Sequence, residues 1–285
     1  MLRFCFALLM FASTDALAQE RVILVTGSTG GLGREVAYRL AATGAHVIVH
    51  GRNEERGLAV VDSITATGTG SARFIRADLA SLDEVRAFAE TIRSEYDRLD
   101  VLVNNAGILL ADGQRRTSAD GHELTFAVNY LAGFLLTHEL MPLLEASSPS
   151  RVVNVSSISQ APIDFDDVML EDGYNWGRAY SQSKLAQILF TIDLAAELEG
   201  TGVSVNAVHP ATLMNTDMVE EAGFQPQASV EEGVTAVLQL VNAPDLGSGR
   251  YFRGLDPVEA HAQAYDAAAR ARLRALSVEL TGAGG

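Results

Sequence analysis

At 285 residues, 48% of them hydrophobic, the chain has enough material for one large α/β core. Acidic residues outnumber basic ones, 36 to 21, giving a net charge of −15 with no lysine or arginine run, which excludes a nucleic-acid backbone as partner. The single cysteine, Cys5, excludes an internal disulfide, and the six histidines lack metal-ligand spacing; His138-Glu139 has no second histidine to complete a zinc helix, so no metal site is expected.

The first eighteen residues differ from the rest. Met1-Leu-Arg is a basic start, Phe4 to Ala12 is an apolar run, and Ala16-Leu-Ala18 resembles a small-residue cleavage site, the outline of a secretory signal peptide. The run is too short to span a bilayer, so no integral membrane span is expected. Translation from Met10, or a membrane-associating tail, would fit the same residues, leaving the chain either exported or cytoplasmic with a mis-assigned start. Residues 19–285 read as one domain.

Val22-Ile-Leu-Val-Thr is a continuous β-branched run of the kind buried on both faces of a parallel sheet. It ends in Thr26-Gly-Ser-Thr-Gly-Gly-Leu-Gly33, and a helix is predicted from Gly33 to about Thr43. A glycine turn between a strand and a helix can hold a pyrophosphate on backbone N–H groups and the helix N-terminus, so Gly27, Ser28, Thr29, Gly30, Gly31, Leu32 and Gly33 are candidate dinucleotide contacts. The spacing admits two patterns, one through Gly31 and one through Gly30. After Gly44 comes strand Ala45 to His50, followed by Gly51-Arg52-Asn53. No carboxylate stands there to bind a ribose 2′-hydroxyl, and Arg52 is placed to pair with a 2′-phosphate, so NADP(H) is preferred as cofactor. If Arg52 is a solvated turn residue, NAD(H) would serve as well.

Helix is predicted over Glu54 to Ala66, a loop over Thr65 to Ser71, strand over Arg73 to Arg76, helix over Leu82 to Tyr96 and strand over Asp100 to Asn104, which opens Asn104-Asn-Ala-Gly107. A long helix from about Gly121 to Leu144 precedes strand Arg151 to Ser156, helix Ala179 to Leu198 and strand Val203 to Val208. This alternation indicates right-handed crossovers and a Rossmann-type, doubly wound parallel sheet with helices on both faces. Asn154-Val-Ser matches a glycosylation sequon but falls on a strand, where it is not expected to be used.

On the helix from Ala179, Tyr180 and Lys184 stand at i and i+4, one above the other on one face. An ordinary phenol titrates near pH ~10, and bringing it to about 7 requires roughly 4 kcal/mol of preference for the phenolate, which a neighbouring ammonium can supply. The pair is therefore a candidate proton-transfer device.

Taken together, the glycine turn, Asn104-Asn-Ala-Gly107, and Tyr180 with Lys184 resemble the short-chain dehydrogenase/reductase superfamily over nearly all residues from about 21 onward. The resemblance implies that Asp78 and Leu79 meet the adenine, that Asn105, Ala106 and Gly107 line the cofactor, and that Tyr180 and Lys184 contact it. It also implies that Asn129 joins a proton relay through Lys184, that Ser157 in Val153-Asn-Val-Ser-Ser157 polarises the substrate oxygen, and that Thr212 contacts the nicotinamide carboxamide. Ala211 stands where the family commonly has glycine. The long acidic segment between Ser157 and Tyr180, the run Tyr180 to Phe190 and the tail elements Gly249 to Phe252 and Leu276 to Gly282 resemble the branch of retinol dehydrogenases and the WW-domain-containing oxidoreductase, although no WW domain is present. Leu213 to about Gln227, with Met214, Met218, Val219 and Phe224, fits a lid over an apolar pocket or a core-packing loop.

The expected function is interconversion of a carbonyl and an alcohol, with a small apolar substrate. Nucleotide-sugar epimerisation or dehydration, through the Gly30 pattern, and a non-catalytic redox sensor are the alternatives. Apolar faces on the helices carrying Asn129 and Tyr180 would suit a homo-oligomer or ordinary core equally.

Overall fold

The computed structural model describes residues 20–283, and the expectations for residues 1–18 lie outside them. Eight strands form one sheet: β1 (Val22–Val25), β2 (His46–Gly51), β3 (Ser71–Arg76), β4 (Val101–Asn104), β5 (Ser150–Val155), β6 (Val203–His209), β7 (Arg250–Arg253) and β8 (Asp256–Val258), in the order β3-β2-β1-β4-β5-β6-β7-β8. The first seven are parallel, and β8 turns back antiparallel on β7. Because β1 lies between β2 and β4, the chain reverses its direction of winding there and leaves a crevice beyond the carboxyl ends of β1 and β4. This is the doubly wound fold expected from the alternating pattern.

Side chains alternate across the sheet and feed two cores. Leu24, Ile48, Leu102, Val152 and Val205 face one side, under helices α3 (Leu82–Glu95), α5 (Ala132–Ala146), α6 (Trp176–Glu197) and α9 (Ala267–Thr281). Ile23, Val25, Val47, Val49, Val103 and Val153 face the other, under α1 (Gly31–Ala41), α2 (Glu54–Thr67) and α8 (Val230–Asn242). The remaining helices are short: α4 (Leu124–Phe126) and α7 (Asp217–Glu221).

Several boundaries differ from the sequence expectation for identifiable reasons. Helix α6 begins at Trp176 rather than Ala179, because the Asn175 side chain accepts the Arg178 N–H and caps it. The long helix does not begin at Gly121, which has φ +85° in a turn; the Glu123 carboxylate accepts the Thr125 and Phe126 N–H groups and starts α4 instead. Between α4 and α5 the backbone widens into a π-helical turn, Ala127–Leu131, that carries Asn129. β3 starts at Ser71, since α2 closes on Gly68 in the left-handed conformation three residues before. Helix α8, not anticipated, opens with a capping box between Ser229 and Glu232.

A buried polar ladder fixes α5 and α6 on the sheet. Asn104 Nδ2 donates to Thr137 Oγ1 (3.0 Å) on α5 and to Asn154 Oδ1 (2.9 Å), and Asn154 Nδ2 donates to Thr191 Oγ1 (2.9 Å) on α6. The strand context expected for Asn154 is therefore the observed one, with its amide buried and bonded.

Candidate active site

One cavity of about 660 Å³ opens over the crevice. It runs from the glycine turn, past the ends of β2 and β3, to the ends of β4 and β5 and the start of α6.

At the turn, Gly27 has φ +65° and Gly31 φ +52°, whereas Gly30 is extended (φ −167°) with open space where a Cβ would stand. The turn therefore follows the pattern through Gly31. A Cβ on Gly33 would lie 2.4 Å from Asn105 Nδ2 and 2.4 Å from the Gly27 carbonyl oxygen, so this glycine is required by close packing. Helix α1 starts at Gly31, and its N-cap, Gly30, offers no side-chain cap, which leaves the first-turn N–H groups free beside the cavity that Gly27, Thr29, Gly30, Gly31 and Leu32 line. That uncapped terminus fits the pyrophosphate of a dinucleotide, with Arg52, Asp78 and Leu79 forming the wall beyond it. Ser28 is different. It is fully buried, with Oγ donating to Val25 O (2.7 Å) and accepting the His50 N–H (3.0 Å), so its hydroxyl braces the turn rather than facing the cavity.

Asn105 also works inside the protein, donating from Nδ2 to the Thr26 (2.8 Å) and Gly27 (3.3 Å) carbonyls. Thr26, which the sequence reading passed over, accepts the Asn105 and Ala106 N–H groups on Oγ1, both at 3.0 Å. The glycine turn and the Asn105 to Gly107 segment are thus one hydrogen-bonded unit.

At the other end stand Ser157, Tyr180 and Lys184, all lining the same cavity. Lys184 is buried, with Nζ donating to Val155 O (2.9 Å) and Gln187 Oε1 (3.2 Å) and lying 5.6 Å from the Tyr180 ring centre. Burial brings its ammonium down to about 7. The phenol of Tyr180 departs from expectation: burial raises its pKa, and the Ser157 hydroxyl beside it is the group that pulls the other way. Helical spacing makes Lys184 the neighbour of Tyr180, but its hydrogen bonds go to the end of β5 and to Gln187.

Asn129 is pinned rather than free. Its Oδ1 accepts the Ile108 N–H (2.7 Å), and its Nδ2 donates to Ile108 O (3.1 Å) and Ser183 Oγ (3.1 Å). It thereby joins the π-turn, the Gly107 segment and α6 beside Tyr180 and Lys184. Thr212 lines the cavity with Oγ1 3.0 Å from His209 Nε2, and burial, with Arg253 and Lys184 nearby, lowers His209 to about 4.

The outer wall is apolar. Ile108, Leu109, Leu124, Val128 and Ile158 line it, and Trp176, at the start of α6, meets Phe224 with ring centres 6.2 Å apart. Phe224 belongs to the 213–227 segment, whose ends are tied by Gln227 N–H to Leu213 O (2.8 Å) and Asn215 N–H to Ala228 O (3.1 Å). Within it Val219 is buried, while Met218 and Phe224 line the cavity, so the segment both packs and covers. The Trp176–Phe224 contact joins residues 48 positions apart in sequence and could not be read from either alone. Among the described residues no group of acidic, histidine or cysteine side chains is placed to hold a metal ion, and no helix is long and apolar enough to cross a membrane.

A doubly wound sheet whose crevice joins a glycine cradle to a serine, tyrosine and lysine defines a nicotinamide-dependent oxidoreductase. The chain belongs to the short-chain dehydrogenases: the profile of that family, described as short chain dehydrogenase, matches residues 21–226. Human retinol dehydrogenase 13 is similar at 36% identity, over 94% of this chain and 87% of its own. Human retinol dehydrogenase 11 is similar at 36% identity, over 92% and 86%, which puts the chain in the retinol dehydrogenase-like branch. Among solved structures, the Pseudomonas aeruginosa RhlG/NADP active-site complex is similar with a TM-score of 0.67 at 27% identity, covering 82% of this chain and 94% of that one. A short chain dehydrogenase from Salmonella enterica serovar Typhi is similar with a TM-score of 0.67 at 29% identity, covering 84% and 97%. The comparisons agree with a nicotinamide cofactor and favour NADP.

Proposed function

We propose that the protein uses NADP(H) to interconvert an apolar aldehyde or ketone with its alcohol, and that Tyr180 is the proton donor in the reducing direction. The observation that carries this reading is the convergence of Ser157, Tyr180 and Lys184 on the cavity that begins at the glycine turn. Arg52, exposed at the rim, would pair with the 2′-phosphate, and the uncapped start of α1 would take the pyrophosphate. When bound, the dinucleotide supplies the hydride or accepts it.

The protein's part is positioning and proton transfer. Ser157 Oγ donates to the carbonyl oxygen, and the Tyr180 O–H protonates that oxygen as negative charge develops on it. A phenol whose pKa burial raises is protonated at neutral pH and so suits the role of acid in the reducing direction. Lys184 stabilises the phenolate left behind and restores its proton; an ammonium titrating near 7 can do both. Asn129 holds the wall against which this exchange occurs. The apolar lining and the Trp176–Phe224 contact suit an apolar substrate and exclude water from it.

The test is Tyr180→Phe, with NADPH oxidation followed against a panel of apolar aldehydes and ketones. Turnover should fall by about 10²–10⁴-fold while NADPH binding, measured by fluorescence, changes little. Wild-type turnover in the variant would sink the mechanism.

A further inference from the structure

His50 lies at the carboxyl end of β2, 2% exposed, with its ring against Phe88 of α3 at a centroid distance of 4.7 Å. Three hydrogen bonds tie it to the glycine turn. Gly27 N–H donates to His50 Nδ1 (3.0 Å), Ser28 N–H donates to His50 O (2.8 Å), and His50 N–H donates to Ser28 Oγ (3.0 Å). The first of these fixes the tautomer. A nitrogen that accepts an N–H cannot carry a proton, so the imidazole is neutral with its hydrogen on Nε2. That Nε2 is sealed from solvent and makes no full hydrogen bond; the Ala77 backbone is the acceptor that acts on the ring, in keeping with a hydrogen on Nε2.

Gly27 is the first residue of the turn in the left-handed region, and every cradle residue after it takes its place from that conformation. Gly27 is half-buried, and an amide turned inward there without an acceptor would be costly, so the backbone would relax to find one. We propose that His50 is a positioning residue for the dinucleotide, its Nδ1 serving as the acceptor that sets Gly27 and thereby aligns residues 29–33 along the cavity. The role rests on the nicotinamide cofactor alone and not on the proton-transfer chemistry at Tyr180. Protonated, the same ring would set an N–H against the Gly27 N–H and push the turn open. Burial guards against this by holding the imidazole down at about 4; the charged group that acts on it from the neighbouring element is Asp78, beyond β3, while α3 presents the uncharged Phe88 and the turn itself has no titratable side chain.

Three proteins distinguish this role from general packing: the wild type, His50→Leu, which keeps bulk but no acceptor, and His50→Asn, whose Oδ1 stands one bond from Cγ as Nδ1 does. Calorimetric titration with NADP⁺ at pH 7.5 should show about tenfold weaker binding for His50→Leu and wild-type affinity to within about threefold for His50→Asn. Long-range ¹⁵N–¹H spectra of the wild type should show an unprotonated Nδ1 and a protonated Nε2 that persist well below the ordinary histidine midpoint. Wild-type affinity in His50→Leu, equal weakening in both variants, or a ring that carries its proton on Nδ1 would each overturn the proposal. Should His50→Leu fail to fold by circular dichroism, weak binding by a folded His50→Asn or the wrong tautomer in the wild type would still do so.

Discussion

At the glycine-turn end of the cavity, position is enforced by backbone. Gly27 and Gly31 adopt conformations that side chains resist, Gly33 has no room for a methyl group, and Ser28, Thr26, His50 and Asn105 spend their polar atoms bracing the turn. At the substrate end, position is enforced by side chains that meet across long sequence intervals: Trp176 against Phe224, and an apolar wall drawn from the Ile108, Leu124 and Ile158 regions. The first end is built to hold a constant group and the second to be varied. A cradle made of main chain tolerates few substitutions, whereas an aromatic and aliphatic wall can be reshaped one side chain at a time.

The sharpest way to break this contrast is Gly33→Ala. The added methyl would have to displace Asn105 and the Gly27 carbonyl, both 2.4 Å from it, and neither is a flexible chain end. NADPH affinity should fall more than tenfold and stability by about 1–3 kcal/mol, read from a fluorescence titration and a urea unfolding curve. An unaffected variant would mean that the turn is far softer than its packing implies.

Arg52→Ala tests the rim of the same end. Losing a charge-assisted bond to a 2′-phosphate should cost NADPH about 10- to 100-fold in affinity and leave NADH nearly unchanged. Equal losses for both cofactors would make Arg52 a solvated turn residue.

Trp176→Ala tests the other end. Removing one ring of the Trp176–Phe224 contact should raise KM for large apolar substrates about tenfold, with smaller effects on short ones and none on NADPH binding. Because Trp176 is the sole tryptophan of the chain, the wild-type emission should also shift as such a substrate enters. A substrate titration that leaves it unmoved would place the substrate elsewhere.

A further test concerns acid stability. His50 and His209 are both lowered from 6.5 to about 4 by burial, so the unfolded chain takes up protons that the folded one refuses. Their contribution to stability is complete above about pH 6.5 and is lost as pH falls toward 4. The urea midpoint should therefore decline between pH 6.5 and 4, less steeply in His50→Asn; a flat profile would show these histidines to be solvated.

What the sequence discloses follows the same division. β-branched runs ending in glycine mark buried parallel strands, and the order of the turn, the Asn104 to Gly107 segment and Tyr180 with Lys184 marks the fold, since each of these is local in sequence. Helix α8 has an equally local signal, its Ser229 to Glu232 capping box with Val234, Val237 and Leu240 one turn apart. Other features had no local signal. His50 becomes an acceptor only because β2 lies beside β1, and Lys184 turns to Val155 O only once α6 is laid over β5. The π-turn carries an Asn129 whose amide meets Ile108, a contact 21 residues away.

The two margins of the sheet remain. β8 is three residues long, exposed and carries Pro257, which has no N–H to offer a further strand. β3, at the opposite margin, points the guanidinium groups of Arg73 and Arg76 outward, toward Glu95 and Glu84. Each margin ends the sheet by a different means, one by lacking a donor and one by charge. Both are devices that discourage edge-to-edge pairing of the folded chain.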